Sequence, residues 1–377
     1  MSGVAIVGAE AFRYRLPLAR PLAMPSGTYT QREGILLRLT DADGHVGWGD
    51  AAPLPGYSPD TLADVLAELP ATLRWVRERR PWLDGLSLSF EGPAVRRPRG
   101  RGSLPRPPSL VCAVAQASGD LSSQQLGWSL ARVYGWTERA ATTRADPTVP
   151  AVALNALLPN DDPVPTARRV AAEGWRAAKL KVGRRSPEAD AAVVREVAGV
   201  LGETALRLDA NRAWSVEEAT AFADALDGVP VAYVEEPLSD WRRQPEFARR
   251  TGVPFALDET LRDVTARPTR LVREAAAFVT KPTVLGGAGA DASFLRFLAG
   301  RETPVVVSST FESGVGMRHL VALAAALGDT PAGLDTYRWL AEDVLDRPLP
   351  MSGPTVNVAA VLAPNPVRLD RLEPLAL

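Results

Sequence analysis

Short apolar runs alternate with Ala-rich amphipathic segments from about residue 150 onward, a pattern typical of strands that are each followed by a helix. The predicted strands cover 149–156, 177–182, 206–210, 231–235, 255–258, 278–281, 305–308 and 333–335. Predicted helices between them include 163–173, 186–201 and 216–226. Eight strands separated by helices indicate a parallel (β/α) barrel. An open doubly wound sheet is the alternative, although no G-x-G-x-x-G follows the first strand.

The first hundred residues have a different, α+β pattern. Apolar runs within 4–16 and 34–50 predict strands, and Asp43-Gly44 is a turn signal that favours a hairpin. Apolar residues then recur at helical spacing over 58–75, with Ser58 as the predicted N-cap and Pro59 as the first helical residue. The pattern predicts a small antiparallel meander and a helix.

An Arg- and Pro-rich stretch at 92–108 interrupts these patterns. Its five arginines, its prolines and its glycines favour neither helix nor strand. A phosphate-binding patch is one interpretation, but the stretch lacks interleaved aromatic residues. An exposed, solvated loop is therefore predicted, ahead of a helix near 110–121.

Composition excludes several classes of function. The chain has 377 residues, of which 46% are hydrophobic and 23% charged, and its formal net charge is −1. No overall field therefore attracts nucleic acid or an anionic membrane. No apolar run reaches the roughly 18 residues of a membrane span, and the N-terminus lacks the pattern of a secretion signal. Cys112 is the only cysteine, so no intrachain disulfide forms and a reducing cytoplasm is the predicted location.

Histidine is scarce, because only His45 and His319 are present and His45 lies at the predicted hairpin turn. A histidine-ligated zinc site and a Ser-His-Asp triad are therefore disfavoured. An acid or base in this protein is expected to be Lys, Asp, Glu or Tyr.

Charged residues end the apolar strands of the predicted barrel. Lys179 and Lys181 share one face of their strand, and that face is expected to point into the barrel near its C-terminal mouth. The following strands end on Asp209, Glu235, Asp258 and Lys281. A single carboxylate in such a place could equally be a structural ion pair or a helix N-cap. Because unpaired inward charges cost several kcal/mol each, five successive strands of this kind favour a shared site.

Asp209, Glu235 and Asp258 offer oxygen ligands without histidine or thiolate, which suits a hard cation. Mg²⁺ is predicted, with Mn²⁺ as a substitute. Such an ion holds a carboxylate substrate and stabilises the enediolate that forms when the α-proton leaves. The base is predicted to be a lysine whose pKa is lowered by burial and by nearby positive charge, as for Lys179 beside Lys181. Lys281 is expected on the opposite face of the substrate.

These residues resemble the enolase superfamily and, within it, the o-succinylbenzoate synthase family of menaquinone biosynthesis. The matching segments are Lys179-Leu-Lys181, Asp209-Ala-Asn211-Arg212, Glu235-Glu236-Pro237, Asp258-Glu259-Thr260, Lys281-Pro282-Thr283, 308–313 and 333–336. Residues 47–58 are similar to the family's capping segment.

The resemblance implies an α/β chain with a modified (β/α)8 barrel of the (β/α)7β type at 116–344. An α+β capping domain is implied at 1–115, completed by the tail at 345–377. Its loop near 26–32 is expected to close over the substrate.

The implied reaction is syn dehydration of 2-succinyl-6-hydroxy-2,4-cyclohexadiene-1-carboxylate to o-succinylbenzoate. Lys181 would take the α-proton and return it to the departing hydroxyl, Lys179 would tune Lys181, and Lys281 would stabilise the enediolate by cation–π attraction. Further substrate-binding candidates near the strand ends are Asn211, Arg207, Ser308, Ser309 and Thr310. For the last three, a hydroxyl that caps a helix is the structural alternative.

The alternative function is an N-acylamino acid racemase or dipeptide epimerase, in which Lys181 and Lys281 act as bases on opposite faces. The segment at 333–336 lacks the Asp-x-Asp with which a dipeptide epimerase captures an amino group. The synthase is therefore favoured, with racemisation as a second activity. A non-catalytic protein on this barrel is expected to lack a ligand or a lysine, and none is missing.

Overall fold

The computed structural model describes residues 6–24, 26–79, 107–138, 150–263, 270–287 and 303–376. The predicted loop at 92–108 lies outside these residues, apart from Pro107 and Pro108, where a helix begins.

An antiparallel sheet forms the N-terminal part. It contains β1 (Ile6–Met24), β2 (Gly27–Asp41), β3 (Val46–Ala51) and, from the far end of the chain, β13 (Glu373–Pro374), in the order β13-β1-β2-β3. The predicted hairpin is confirmed, because β2 pairs with β3 and the amide of Gly44 donates to the carbonyl of Asp41 at 3.2 Å. The C-terminal residues thus complete the N-terminal sheet.

Helices α1 (Leu62–Arg79) and α2 (Pro108–Leu126) cover one face of this sheet, and α3 (Leu130–Glu138) follows. Helix α2 lies directly on β3, since a Cβ at Gly47 or Gly49 would come within about 2.1 Å of helix carbonyl oxygens. Only glycine permits this approach. The domain boundary near residue 115 falls within α2 and stays a prediction.

The predicted N-cap at Ser58 is wrong. Helix α1 begins at Leu62, and Thr61 caps it: the Asp64 amide donates to Thr61 Oγ1 at 3.2 Å, and the Thr61 amide donates to Asp64 Oδ2 at 2.8 Å. This reciprocal pair satisfies two amides at the helix start. The Ser58 hydroxyl accepts from the Leu54 amide instead.

A parallel seven-stranded sheet forms the second part. Its strands lie in the order β11-β10-β9-β8-β7-β6-β5, so neighbours in sequence are neighbours in space. They are β5 (Asn155–Leu157), β6 (Ala177–Lys181), β7 (Ala205–Asp209), β8 (Tyr233–Glu235), β9 (Phe255–Leu257), β10 (Ala277–Thr280) and β11 (Val305–Val307). A short pair outside this sheet consists of β4 (Ala151–Ala153) and β12 (Thr355–Asn357).

Helices lie between the strands of this sheet along the chain, and two more follow the last strand. They are α4 (Pro163–Ala172), α5 (Pro187–Leu201), α6 (Val216–Ala225), α7 (Gln244–Thr251), α8 (Thr260–Asp263), α9 (Arg270–Glu274), α10 (Pro282–Leu285), α11 (Gly314–Leu327) and α12 (Val358–Leu362). Three short 3₁₀ helices cover Trp241–Arg243, Asp335–Trp339 and Leu369–Arg371. No helix of the described residues is long and apolar enough to cross a membrane.

Residues 332–333 close the barrel in place of a full eighth strand. Ala332 bridges to Leu154 and Gly333 to Ser308, both in parallel. The Ala332 amide donates to Ala153 and the Gly333 amide to Val307, each at 2.8 Å. The eighth strand predicted at 333–335 is thus shorter, because Asp335 already begins a 3₁₀ helix. The modified (β/α)8 barrel is confirmed.

Candidate active site

The ends of adjacent strands bring the predicted charged residues to one mouth of the barrel. In the parallel register, Lys181 lies beside Asp209, and Asp209 lies beside Glu235. Asp258 directly follows β9, and Lys281 directly follows β10. The structure therefore gathers the residues that the alternation of the strands predicted.

All three lysines of the chain lie in this cluster. Lys179 Nζ lies 2.8 Å from both carboxylate oxygens of Glu235 and 2.9 Å from Asp209 Oδ2. Lys181 Nζ lies 3.2 Å from the same oxygen of Asp209, and Lys281 Nζ contacts Asp258 Oδ2. An amine can lose its proton near neutral pH when its surroundings allow, whereas a guanidinium does not. Lysine is thus confined to the place where a titratable amine is useful.

The carboxylates determine the direction of two lysine pKa values. Burial alone would lower the pKa of Lys179, but Asp209 and Glu235 outweigh burial and raise it above its ordinary value. Burial and Asp258 oppose each other in the same way at Lys281, whose pKa is also raised. Contact with a carboxylate therefore keeps both of these lysines protonated, and the lowered pKa expected of the base stays a prediction.

Asp209, Glu235 and Asp258 have the chemistry of a hard-cation site. Each residue is at most 5% exposed. The Lys179 ammonium lies within 2.9 Å of both Asp209 and Glu235. These two carboxylates can therefore contact the same positive charge. Oxygen ligands of this kind are those that Mg²⁺ prefers. The residues present therefore fit the predicted ion.

A second group of possible ligands lies in the β2–β3 turn, where atoms of Asp41, Asp43 and His45 are within 4.8 Å of one another. Asp41 accepts hydrogen bonds there from the amides of Asp43 and His45, from Gln125 Nε2, and it contacts His45 Nδ1 at 2.8 Å. These hydrogen bonds are those of a structured turn, and they explain why the three side chains lie close together.

Glu236 supports the site from behind. This residue is fully buried and accepts from the backbone amides of Asp258 at 2.9 Å and Thr260 at 2.7 Å. Arg212 Nε and Gln244 Nε2 donate to its other oxygen at 3.0 and 2.7 Å. Glu236 thereby fixes the backbone that carries Asp258. The sequence analysis gave it no role.

Tyr57 extends from the N-terminal part into the site. Its hydroxyl donates to Asp258 Oδ2 at 2.8 Å and accepts from Lys281 Nζ at 2.8 Å, and its ring centroid lies 4.8 Å from that nitrogen. Burial, Asp258 and Glu259 raise the pKa of Tyr57 well above its ordinary value, so the hydroxyl keeps its proton. Sequence reasoning missed Tyr57, although it lies in the segment that resembles the family's capping segment.

Asn211 contacts the site lysine, and Glu259 contacts Asn211. Lys181 Nζ donates to Asn211 Oδ1 at 2.5 Å, and Asn211 Nδ2 donates to Glu259 Oε1 at 3.1 Å. Burial, followed by the nearby charges of Asp258 and Asp209, raises the pKa of Glu259 to about 7. Glu259 was part of a matching segment but was not predicted as a site residue.

Arg207 makes its hydrogen bonds away from the lysines and carboxylates, and its part in substrate binding stays a prediction. Arg207 Nη1 donates to the Pro331 carbonyl at 2.8 Å and its guanidinium lies over the Tyr233 ring, one side-chain layer below Asp209. It lies at the register position of Lys179 and Tyr233, two residues before the end of β7.

The hydroxyl residues after β11 are already engaged. Ser308 Oγ donates to the Gly333 carbonyl at 3.3 Å, and Ser309 Oγ contacts Thr336 Oγ1. Thr310 Oγ1 donates to Glu312 Oε1 at 2.6 Å. Their part in substrate binding stays a prediction.

The segment at 26–32 is a hairpin tip and the start of β2 rather than a loop. Ser26 Oγ donates to the Pro55 carbonyl at 3.2 Å, and Tyr29 donates to Ser26. The buried Arg32 guanidinium donates to the carbonyls of Ala52 and Thr310 at 3.0 and 3.2 Å, which ties the N-terminal part to the end of β11.

Asp50 makes a second connection between the two parts. It accepts from the amide and hydroxyl of Ser313, at the start of α11, and from the Tyr14 hydroxyl. Burial raises the pKa of Asp50 to about 6.

Comparison with known proteins identifies the class. The family model described as Enolase C-terminal domain-like matches residues 164–363, and the one described as MenC, N-terminal domain matches residues 7–90. The L-Ala-D/L-Glu epimerase from Bacillus subtilis, solved as a substrate-liganded complex, has the same fold, with a TM-score of 0.73 and 22% identity over 93% of this chain and 96% of that one. The fold and the barrel-mouth charges thus define a metal-dependent lyase of the enolase superfamily.

Relatives in sequence identify the family within this superfamily. The o-succinylbenzoate synthase of Klebsiella pneumoniae (strain 342) is 30% identical over 94% of this chain and 98% of that protein. Protein PHYLLO, chloroplastic, of Arabidopsis thaliana is 31% identical over 90% of this chain, which spans 21% of that protein. The chain belongs to the o-succinylbenzoate synthase family.

Proposed function

We propose that the protein is an o-succinylbenzoate synthase, which removes water from 2-succinyl-6-hydroxy-2,4-cyclohexadiene-1-carboxylate in the cytoplasm. The observation that carries this proposal is the arrangement of the chain's three lysines around Asp209, Glu235 and Asp258. The activity named for the Klebsiella relative, which matches nearly its whole length, supports the same reaction.

Lys181 is the proposed base and acid. Its neutral amine takes the proton from the carbon that bears the carboxylate, and the electron pair moves into that carboxylate to give an enediolate. The same ammonium then returns the proton to the hydroxyl on the neighbouring carbon as the C–O bond breaks. Proton and hydroxyl leave from one face, and the ring becomes aromatic. Mg²⁺, held by Asp209, Glu235 and Asp258, would supply the positive charge that stabilises the enediolate.

The other two lysines have separate proposed roles. Lys179 contacts Asp209 and Glu235 and balances their negative charge beside Lys181. Lys281, held by the Tyr57 hydroxyl, presents its ammonium to the face of the substrate ring, where cation–π attraction stabilises the enediolate.

Racemisation of N-acylamino acids is the second candidate, because Lys181 and Lys281 extend from different strands of the mouth. A dipeptide substrate is disfavoured. The Asp335 carboxylate already accepts from the Leu157 amide at 3.0 Å and pairs with Arg338 at 2.8 Å, so it is engaged rather than presented to an amino group.

The test is turnover of the cyclohexadiene carboxylate by wild type, Lys181→Ala and Lys181→Arg. We expect rapid turnover that EDTA abolishes and that Mg²⁺ or Mn²⁺ restores. Both variants should lose it, because arginine keeps the charge but cannot act as a base. Absence of turnover in the wild type would refute the synthase and make α-proton exchange of N-acylamino acids in D₂O the next measurement.

A further inference from the structure

We propose that Glu259 is a positioning residue that orients the base Lys181 through the side-chain amide of Asn211. The proposal rests on the proposed function only for the role of Lys181. Two hydrogen bonds link the three side chains. Lys181 Nζ donates to Asn211 Oδ1 at 2.5 Å, and Asn211 Nδ2 donates to Glu259 Oε1 at 3.1 Å. They connect the end of β6 with the residues that follow β9.

The carboxylate of Glu259 selects the orientation of the amide. Glu259 Oε1 accepts from Asn211 Nδ2, and a carboxyl group offers such an accepting oxygen in either protonation state, so the Nδ2 side of Asn211 faces Glu259. The Oδ1 side must then face Lys181. The reversed amide would place two donor groups, NH₂ and NH₃⁺, against each other, and would leave Glu259 without its partner.

The backbone places Asn211 for this contact. Its φ of 43° is in the left-handed region, which asparagine tolerates better than most residues. Its amide donates to Asp209 Oδ1 at 3.1 Å, which holds the turn that follows β7. With the backbone fixed in this way, only the side chain of Asn211 can still rotate. The hydrogen bond to Glu259 restricts that rotation.

A neutral amide suits the neighbour of a base. An aspartate in place of Asn211 would stabilise the ammonium form of Lys181 and leave less neutral amine to take a proton. An amide oxygen accepts from the ammonium without adding charge. Glu259 therefore acts on Lys181 only through the amide, without touching the amine itself.

The burial of Glu259 carries a cost in folding stability that the contacts described above do not explain. It is 8% exposed, and its Oε2 is buried with no hydrogen-bond partner among the described residues. A buried carboxylate with an unsatisfied oxygen is unfavourable for stability and calls for a functional reason. The contact with Asn211 supplies one.

Two substitutions at this position test the idea. Glu259→Leu removes the acceptor, whereas Glu259→Gln keeps an oxygen that can accept from Asn211 Nδ2. We expect Glu259→Leu to lower kcat about 10- to 100-fold with little change in KM, because small misplacements of a base cost this much. Glu259→Gln should restore most of kcat. Mg²⁺ affinity, measured by calorimetry, should stay near the wild-type value in both variants.

A double-mutant cycle separates positioning from independent effects. If Glu259 acts through Asn211, Glu259→Leu combined with Asn211→Ala should be no slower than Asn211→Ala alone. Multiplied losses, or a wild-type kcat in Glu259→Leu, would overturn the proposal. Loss of Mg²⁺ affinity would overturn it too, since Glu259 would then be a metal ligand.

Crystal structures keep the test independent of the substrate. If the wild type does not turn over the diene, the proposed function has failed, but the contact can still be judged. The Lys181–Asn211 contact should persist in Glu259→Gln and be lost in Glu259→Leu. Its persistence in Glu259→Leu, or a displaced Lys181 in Glu259→Gln, would contradict the positioning role. Should Glu259→Leu not fold, the Gln variant alone still gives this result.

Discussion

Replacing Glu236 with alanine should destabilise the protein measurably, because a buried carboxylate with four donor residues would be lost. The variant leaves the amides of Asp258 and Thr260 without this acceptor and removes the carboxylate that lies 3.0 Å from Arg212 Nε. Breaking a buried pair in this way costs about 3–5 kcal/mol. The entropy of unfolding for 377 residues is about 0.8 kcal/mol per kelvin. The melting temperature should therefore fall by about 4–6 °C.

The assay is thermal unfolding followed by circular dichroism, with Glu246→Ala as the matched control. Glu246 lies on α7 and pairs with Arg243 and Arg250 at the surface, so its removal should hardly change the melting temperature. If Glu236→Ala melted within about 1 °C of the wild type, the network around Glu236 would contribute too little to stabilise the fold by several kcal/mol.

Two further predictions concern the connection between the two parts of the molecule. Because burial raises the pKa of Asp50 to about 6, the folded state binds more protons than the unfolded state between about pH 4 and 6, and this contribution to stability falls as pH rises through that window. Across this window, the free energy of unfolding of Asp50→Asn, measured by urea denaturation, should therefore rise by about 3 kcal/mol relative to that of the wild type, and parallel pH profiles would contradict the assignment. Tyr57→Phe keeps the ring near Lys281 but removes the hydroxyl, so kcat for the diene should fall about 10-fold. Tyr29→Phe, which loses only a contact with Ser26, is the control, and equal rates for both variants would refute the role of the Tyr57 hydroxyl.

The barrel and the charges at its mouth could be predicted because both follow from short-range pattern. Alternation along β6 determines the face of Lys179 and Lys181, and parallel neighbours carry Asp209 and Glu235 to the same edge. Tyr57 and Glu259 could not be found in this way. Tyr57 meets Lys281 through the packing of the two parts, and no local period relates them.

Competing local chemistry explains the helix start that the sequence misplaced. The Ser-Pro pair at Ser58 predicted a helix start there, but the helix begins after Thr61. The reciprocal cap of Thr61 and Asp64 satisfies two amides instead of one. Arg207 shares the alternation of β7 with Asp209, but alternation gives the face of a residue and not the group that its side chain reaches. Its guanidinium donates to the Pro331 carbonyl.

The confinement of lysine to the barrel mouth makes the site open to selective labelling. Reductive methylation with ¹³C-formaldehyde modifies side-chain amines and leaves arginine untouched, so every labelled side chain would report on Lys179, Lys181 or Lys281. Their side chains are 17%, 39% and 11% exposed, which should make Lys181 the first to react. Magnetic resonance of these three methylated amines would then report on the protonation of the site, with the N-terminal α-amine as the one further methylated group.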